Sequence, residues 1–373
     1  MSEKVLAALK VAPSTTELRE MPLPEVPPDA ALMKVEVAGV CGTDVSQYRL
    51  PLRAGPLIMG HENVGYLARV GREFAKRQGV KEGDLMFLEH YLPCGHCEWD
   101  RIGEYRHCAA TEWFYDPKAI RYGYTSTDIP PALWGGFSHY LYLPINAVLH
   151  AVPGELTPEE AGLATPMSNG IQWALVDGGA GFGSSVLIQG PGQQGLCCVM
   201  AAKHAGAETI IITGRTKDAR RLEVAKALGA DLTINIDTED ALARVQEITN
   251  GRGVDLVIDC TVGAGSEPTI LGIEAAKRRG GTMVVQAEGN QKFPDFPIGR
   301  LTRKGMTLKS ARGHSYRSVE MALQLLASKR FPLDLITTHR FGLSQVDYAI
   351  KSVGGQGAPG AIHVSVMPWN GTP

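Results

Sequence analysis

Residues 93–108 read PCGHCEWDRIGEYRHC, spacing four possible metal ligands as Cys94-x2-Cys97-x2-Asp100-x7-Cys108. Thiolates suit zinc and a carboxylate is an accepted ligand, so three thiolates and one carboxylate can close a tetrahedron. The metal-free alternative is a lobe held by packing of its EWDRIGEY stretch, with Asp100 paired to Arg101 or Arg106. A second set lies upstream. GVCGTD supplies Cys41, Thr43 and Asp44, and GHENVG supplies His61 and Glu62. A thiolate and an imidazole are suitable zinc ligands, and a catalytic site needs three protein ligands plus an open position. A lone buried Cys or His is more often simply packed, but these residues occur together, ahead of a segment that reads as nucleotide-binding.

That segment contains VLIQGPGQQGL, in which Gly190-x-Gly192-x-x-Gly195 follows a strand-like run and opens a helix-like one. Gly190 permits the tight turn, Gly192 lets backbone approach a pyrophosphate, and Gly195 lets helix pack on strand. The helix N-terminus, with Gln193 and Gln194, then faces the negative charge. The next strand ends in Thr213-Gly214-Arg215-Thr216 with no acid at its tip. An acid there binds the 2′-hydroxyl of NAD, whereas Gly214 leaves room and Arg215 can meet a 2′-phosphate, which favours NADP. The alternative is a solvated Arg215 with Asp218 reaching back to the ribose.

The elements that must position these groups divide the chain in two. At 373 residues it exceeds one ordinary core. From Lys4 to about Pro144, short apolar runs broken by Gly and Pro predict a small irregular β-barrel. Thr157-Pro158-Glu159-Glu160 has the form of a capping box and starts a helix. From Ser185, the runs VLIQG, TIIITG, LTINI, VDLVIDC, GTMVVQA and MTLKSAR alternate with helices. Strands apolar throughout and separated by helices predict a parallel, doubly wound α/β sheet of about six strands. From about His314 the rhythm changes again, with one helix in SVEMALQLLASK and then short β-like pieces.

The chain is 44% hydrophobic and 20% charged, with a formal net charge of -2. That balance gives no electrostatic footprint for nucleic acid or an anionic membrane. MSEKVLAALK has no long apolar stretch before a cleavage site, so a cytoplasmic location is expected. In that compartment seven cysteines point to metal ligation or packing rather than disulfides. Cys197, Cys198 and Cys260 read as core, and His139 as structural.

GVCGTD, MGHENVG, KEGD, the cysteine lobe, WGGFSHY, GPGQQG, AKALGAD and THRF occur in an order that resembles the zinc-containing medium-chain dehydrogenase/reductase superfamily, the alcohol, sorbitol and threonine dehydrogenase group. The resemblance implies a GroES-like β-barrel catalytic domain made from 1–164 and 314–373, with a Rossmann domain at 165–313 between them. It implies that Cys41 and His61 ligate a catalytic zinc, with Glu62 ligating it or standing just behind. Thr43 matches the hydroxyl that meets the substrate oxygen and starts a proton relay, and Asp44 a carboxylate behind the ligands. It makes Cys94, Cys97, Asp100 and Cys108 a structural zinc lobe. Two positions depart from the pattern. Thr165 stands where relatives place a further ligand, and Ser46 replaces the usual relay histidine.

The activity implied is hydride transfer between NADP(H) and a small-molecule alcohol/ketone pair, a bulky or cyclic secondary alcohol or a polyol. Trp113, Phe114, Tyr115, Tyr122, Tyr124 and Trp134 either line an apolar pocket or pack a loop or interface. The alternatives are a zinc-independent enone or quinone reductase and a non-catalytic nucleotide-binding protein. Relatives are dimers or tetramers, so PDFPIG and the strand near MTLKSAR are the expected homo-oligomer contacts.

Overall fold

The computed structural model describes residues 3–112, 116, 119–286, 292–293 and 295–371. The chain forms two compact units: Met1–Thr165 with Ser315–Lys329 and Thr337–Pro373, and Pro166–His314 with Arg330–Ile336.

In the first unit the strand Ala30–Val40 is buried along nearly its whole length and is central. It pairs antiparallel with Glu62–Val70, Tyr140–Pro144 and His363–Val366. Leu85–Leu88, Leu149–Ala151 and Thr337–Phe341 complete a seven-stranded sheet, and Lys4–Ala12, Thr15–Pro22 and Leu57–Ile58 form a second of three strands. One apolar core of this unit gathers Leu32, Met33, Leu67, Phe137 and Val364. The C-terminal segment is fastened by Trp369. Its indole N–H donates to Val35 O at 2.8 Å, and His139 stacks on its ring at 4.0 Å. His139 is therefore a packing residue, as the sequence indicates.

The second unit holds a six-stranded sheet in the order Leu232–Asn235, Thr209–Gly214, Ser185–Gln189, Leu256–Asp259, Thr282–Val285, Thr307–Ser310. Every neighbouring pair is parallel. The chain starts in the middle and winds outward first to one side, then to the other, so the order reverses between Ser185–Gln189 and Leu256–Asp259. In open α/β sheets the crevice at that reversal, beyond the strand C-termini, takes the ligand. Leu187, Ile211, Val257 and Met283 are enclosed between sheet and helices, which is why these strands read as unbroken apolar runs.

Local signals match the expectations. Thr157 Oγ1 accepts from Glu160 N at 3.2 Å while Glu160 Oε2 accepts from Thr157 N at 2.9 Å, opening the helix Pro158–Ala161. Cys197 and Cys198 are fully buried in the helix Gln193–His204. Among the described residues, no helix is long and apolar enough to cross a membrane.

Trp369→Ala removes an indole hydrogen bond and an aromatic stack. It should destabilise the protein by roughly 2–3 kcal/mol, below the range for a fully enclosed Trp because the ring is only half-buried. Chemical denaturation should show that loss; an unchanged midpoint would mean the C-terminal segment contributes nothing to the fold.

Candidate active site

Cys41 directly follows the central strand and caps the short helix Gly42–Arg49. Its sulfur accepts from Thr43 N at 3.3 Å, and Asp44 Oδ2 accepts from Cys41 N at 3.0 Å. This reciprocal cap fixes the thiol at the helix start, facing backbone N–H groups. Asp44 also reaches the neighbouring strand. Its Oδ1 lies 3.3 Å from His61 Nδ1, which leaves His61 Nε2 turned to Cys41 Sγ at 3.2 Å. Glu62 follows at the start of Glu62–Val70, opposite Gly39 in the register. A Cβ at Gly39 would stand 2.5 Å from Glu62 Oε2, so a side chain there would displace this carboxylate from its present place.

One ligand atom each from Cys41, His61 and Glu62 lies within 4.8 Å of the others, and all three residues are buried. Burial raises the Glu62 carboxyl to about 7. Glu62 Oε2 is buried with no hydrogen-bond partner among the described residues. Burial opposes the His61 imidazolium, yet the facing Tyr124, Asp44 and Cys41 outweigh it and raise His61 well above its ordinary value. A thiol, an imidazole and an unsatisfied carboxylate in one buried cluster fit a divalent cation such as zinc. Thr43 Oγ1, on the exposed side, is 2.6 Å from Cys41 Sγ. Ser46 is not brought to this cluster; its hydroxyl donates back to Gly42 O at 3.4 Å within its own helix. Thr165 is buried in the helix Ala164–Ile171, its Oγ1 without a hydrogen-bond partner among the described residues.

The lobe brings together a second set. Ligand atoms of Cys94, Cys97, Asp100 and Cys108 all lie within 4.8 Å of one another. Asp100 Oδ2 accepts from Gly95 N at 2.8 Å and from Cys94 Sγ at 3.1 Å, while Oδ1 is buried with no partner among the described residues. Arg106 Nε donates to Glu104 at 2.9 Å, while the bonds of Asp100 Oδ2 run to Gly95 N and Cys94 Sγ. Burial alone would raise the Asp100 carboxyl, but the donors from Cys94, Cys97, Gly95 and Cys108 outweigh it and hold it low. Burial pushes the Cys108 thiol up to about 12. Clustered sulfurs, one of them resisting ionisation, and a half-satisfied carboxylate also fit a zinc ion, which favours the thiolate form.

In the second unit, Gly190 turns the chain at φ +92° after Ser185–Gln189, and Gly192 caps the helix Gln193–His204. A Cβ at Gly195 would lie 2.0 Å from Gly190 O, whereas one at Gly192 would meet nothing within 4 Å. The helix therefore packs close on the turn, and open space lies beside its first N–H groups. This cradle fits a dinucleotide pyrophosphate.

Residues 27–154 match the family model for the alcohol dehydrogenase GroES-like domain, and 195–328 that for zinc-binding dehydrogenase. A probable alcohol dehydrogenase from Mycobacterium tuberculosis is 34% identical over 370 residues, 98% of each chain. The chain belongs to the zinc-containing medium-chain dehydrogenase/reductase superfamily. The L-threonine 3-dehydrogenase of Pyrococcus abyssi is 33% identical over 91% of this chain and 92% of its own. An alcohol dehydrogenase structure from Thermotoga maritima superposes with a TM-score of 0.85 at 25% identity, covering 98% of this chain and 100% of that one.

Within this medium-chain dehydrogenase, the aromatic set divides. Tyr122 and Trp134 are core: Tyr122 is fully buried with its hydroxyl on Tyr142 O, and Trp134 donates to Ile129 O. Tyr124 instead faces the cluster, its ring 5.4 Å from that of His61. Trp113, Phe114 and Tyr115 lie outside the described residues. Two neighbours carried no signal in the sequence. His90 meets His61 edge-on at 5.3 Å, and the Arg121 guanidinium stands over Tyr124 at 4.9 Å.

At the far end of the second strand, Asp218 accepts from Arg215 N at 3.1 Å, so its carboxylate caps the local turn. Arg215 Nε and Thr216 N both donate to Asp237, each at 2.9 Å.

Gly195→Ala forces the helix off the turn and should weaken binding of the reduced dinucleotide by roughly tenfold or more. Fluorescence titration reads this directly, with circular dichroism confirming that the fold is kept; wild-type affinity in the variant would show that the loop is not the cradle.

Proposed function

We propose that the protein is a zinc-dependent dehydrogenase/ketone reductase transferring a hydride between NADP(H) and a secondary alcohol/ketone pair. The observation that carries this reading is the buried Cys41–His61–Glu62 cluster with the Thr43 hydroxyl against its sulfur. Bound at these residues, a zinc ion would supply Lewis-acid polarisation of the alcohol oxygen, and a bound nicotinamide would supply the hydride acceptor.

The chain's own residues then have separable tasks. Cys41, His61 and Glu62 hold the metal, and Asp44 keeps His61 in the tautomer that offers Nε2. Thr43 hydrogen-bonds the substrate hydroxyl and takes its proton toward solvent, a role supported by its exposure on the helix start. Ser46 is bonded within its own helix, so we assign proton exit to water or a ribose hydroxyl rather than to Ser46. Gly190, Gly192, Gln193, Gln194 and Gly195 receive the pyrophosphate. Gly214, Arg215 and Thr216 receive the adenosine ribose, and the arginine favours NADP over NAD. Cys94, Cys97, Asp100 and Cys108 bind a second, structural zinc.

Tyr124 and His90 give the metal side of the site an aromatic wall, which supports a bulky or cyclic secondary alcohol over a small polyol. The zinc-independent enone or quinone reductase reading is weaker, because such chemistry has no use for a thiolate beside His61 and Glu62. We further propose a homodimer or homotetramer in the cytoplasm. The strand Thr307–Ser310 supports the oligomer: it is an exposed sheet edge, the kind that pairs with another copy.

Thr43→Val keeps shape and removes the hydroxyl. Its kcat for oxidation of secondary alcohols with NADP should fall by about 10²–10³-fold, with zinc content unchanged and Thr43→Ser restoring most of the rate. Undiminished turnover in Thr43→Val would overturn the assigned role. Absence of any alcohol oxidation in the wild type, alongside reduction of enones, would overturn the reaction class. Light scattering tests the oligomer: Leu308→Lys should shift the protein toward monomer, and an unshifted mass would exclude that edge.

A further inference from the structure

We propose that Asp237 sets the choice between the two dinucleotides by occupying the place of the 2′-phosphate. The inference rests on reading Gly214–Thr216 as the ribose end of the cofactor site. Thr209–Gly214 and Leu232–Asn235 pair in parallel with Gly214 opposite Asn235, so residues just beyond both strand ends emerge side by side. Asp237, two residues past its strand, thereby meets Arg215 and Thr216. Arg215 Nε donates to its Oδ1 and Thr216 N to its Oδ2, each at 2.9 Å. A guanidinium and a backbone N–H converging on one anion form the donor pair that a phosphate monoester takes. In this chain a carboxylate of the protein already holds it.

The surrounding bonds position Asp237 rather than merely permit it. Its N–H donates to Asn235 Oδ1 at 3.1 Å, and Asn235 Nδ2 donates to Thr216 Oγ1 at 3.0 Å. The Thr216 N–H and the Arg215 guanidinium hold the Asp237 carboxyl below its ordinary range, so it is charged at neutral pH. Arg215 and Asn235 also line a surface cavity of about 220 Å³ with a second cation, Lys226, and with Glu223, which pairs with Arg220 at 3.3 Å. The Arg215 side chain is 60% exposed and Asp237 31%, so the pair can open without disturbing the core.

The consequence differs for the two cofactors. A ribose 2′-hydroxyl can donate to Asp237 while Arg215 stays in place, so NAD is compatible with the closed pair. A 2′-phosphate must displace the carboxylate from both donors and then remains near a like charge. Asp237 therefore limits the preference for NADP that Arg215 alone would give, and it acts as a specificity residue although it lies on the third strand's exit loop rather than the second's.

Calorimetric titration with adenosine 2′,5′-bisphosphate and with 5′-AMP tests this on the full chain without relying on turnover. Asp237→Asn and Asp237→Ser should each tighten the bisphosphate by about five- to tenfold, the size expected for releasing one exposed ion pair and one repulsion, while 5′-AMP, which loses the acceptor of its 2′-hydroxyl, is not tightened. Arg215→Ala should erase the bisphosphate's advantage over 5′-AMP. Unchanged or weaker bisphosphate binding in both Asp237 variants, with the Arg215→Ala loss intact, would overturn the proposal alone and make Asp237 a support for Arg215. If Arg215→Ala keeps the full advantage, or neither nucleotide binds the wild type, the reading of the ribose end fails, and the proposal with it.

Discussion

The buried carboxylate of Asp44 ties Cys41 to His61, the contact on which the candidate metal cluster depends. One of its oxygens accepts the Cys41 N–H, and the other faces His61 Nδ1. The sulfur is thereby fixed at a helix start, and the imidazole turns Nε2 toward it. Replacing Asp44 would leave Cys41 without its cap and His61 free to choose the other tautomer. Because Asp44 is 2% exposed, neither function can be taken over by solvent. Gly39 complements it from the central strand, since a side chain there would push the Glu62 carboxylate aside.

The two halves of the chain solve different problems with the same economy of backbone. The parallel sheet presents a helix N-terminus and bare backbone, an arrangement that suits a phosphate without a charged side chain. The antiparallel sheet gathers side chains at a strand end, a helix start and the neighbouring strand, an arrangement that suits a metal ion. The cysteine lobe is a third arrangement, in which a loop too polar to form a core gathers three sulfurs and a carboxylate instead. Its Asp100 accepts from Cys94 and from the Gly95 N–H. A carboxylate among thiols is therefore accommodated by the loop's own backbone.

Much of this was legible in the sequence because it follows from local pattern. The six parallel strands read as apolar runs because both faces of the sheet are covered. The capping box at Thr157 and the turn at Gly190 declare themselves through residue types that few other conformations use. The clustering of Cys41 with His61 and Glu62 required the family resemblance, since nothing local places residues twenty apart in contact; strand register does that. The same limit explains what was missed. Tyr122 and Trp134 are indistinguishable by type from Tyr124, and only the fold sends two into the core and one to His61. His90 and Arg121 reach the site through neighbouring loops, and Asp237 reaches Arg215 through a parallel register that offsets it by twenty-two residues. By type Asp100 was as open to an arginine as to sulfur, and the bonds it makes to Cys94 and to the Gly95 N–H come from the fold of the loop.

The most direct test of the metal-centred account is zinc per chain, measured by mass spectrometry on protein purified without chelator, for the wild type, Cys41→Ser and Cys97→Ser. The account predicts about two ions in the wild type and about one in each variant, with alcohol oxidation lost in Cys41→Ser while its remaining ion stays bound. A wild type with none, or a Cys41→Ser protein that keeps both its zinc and its activity, would contradict it.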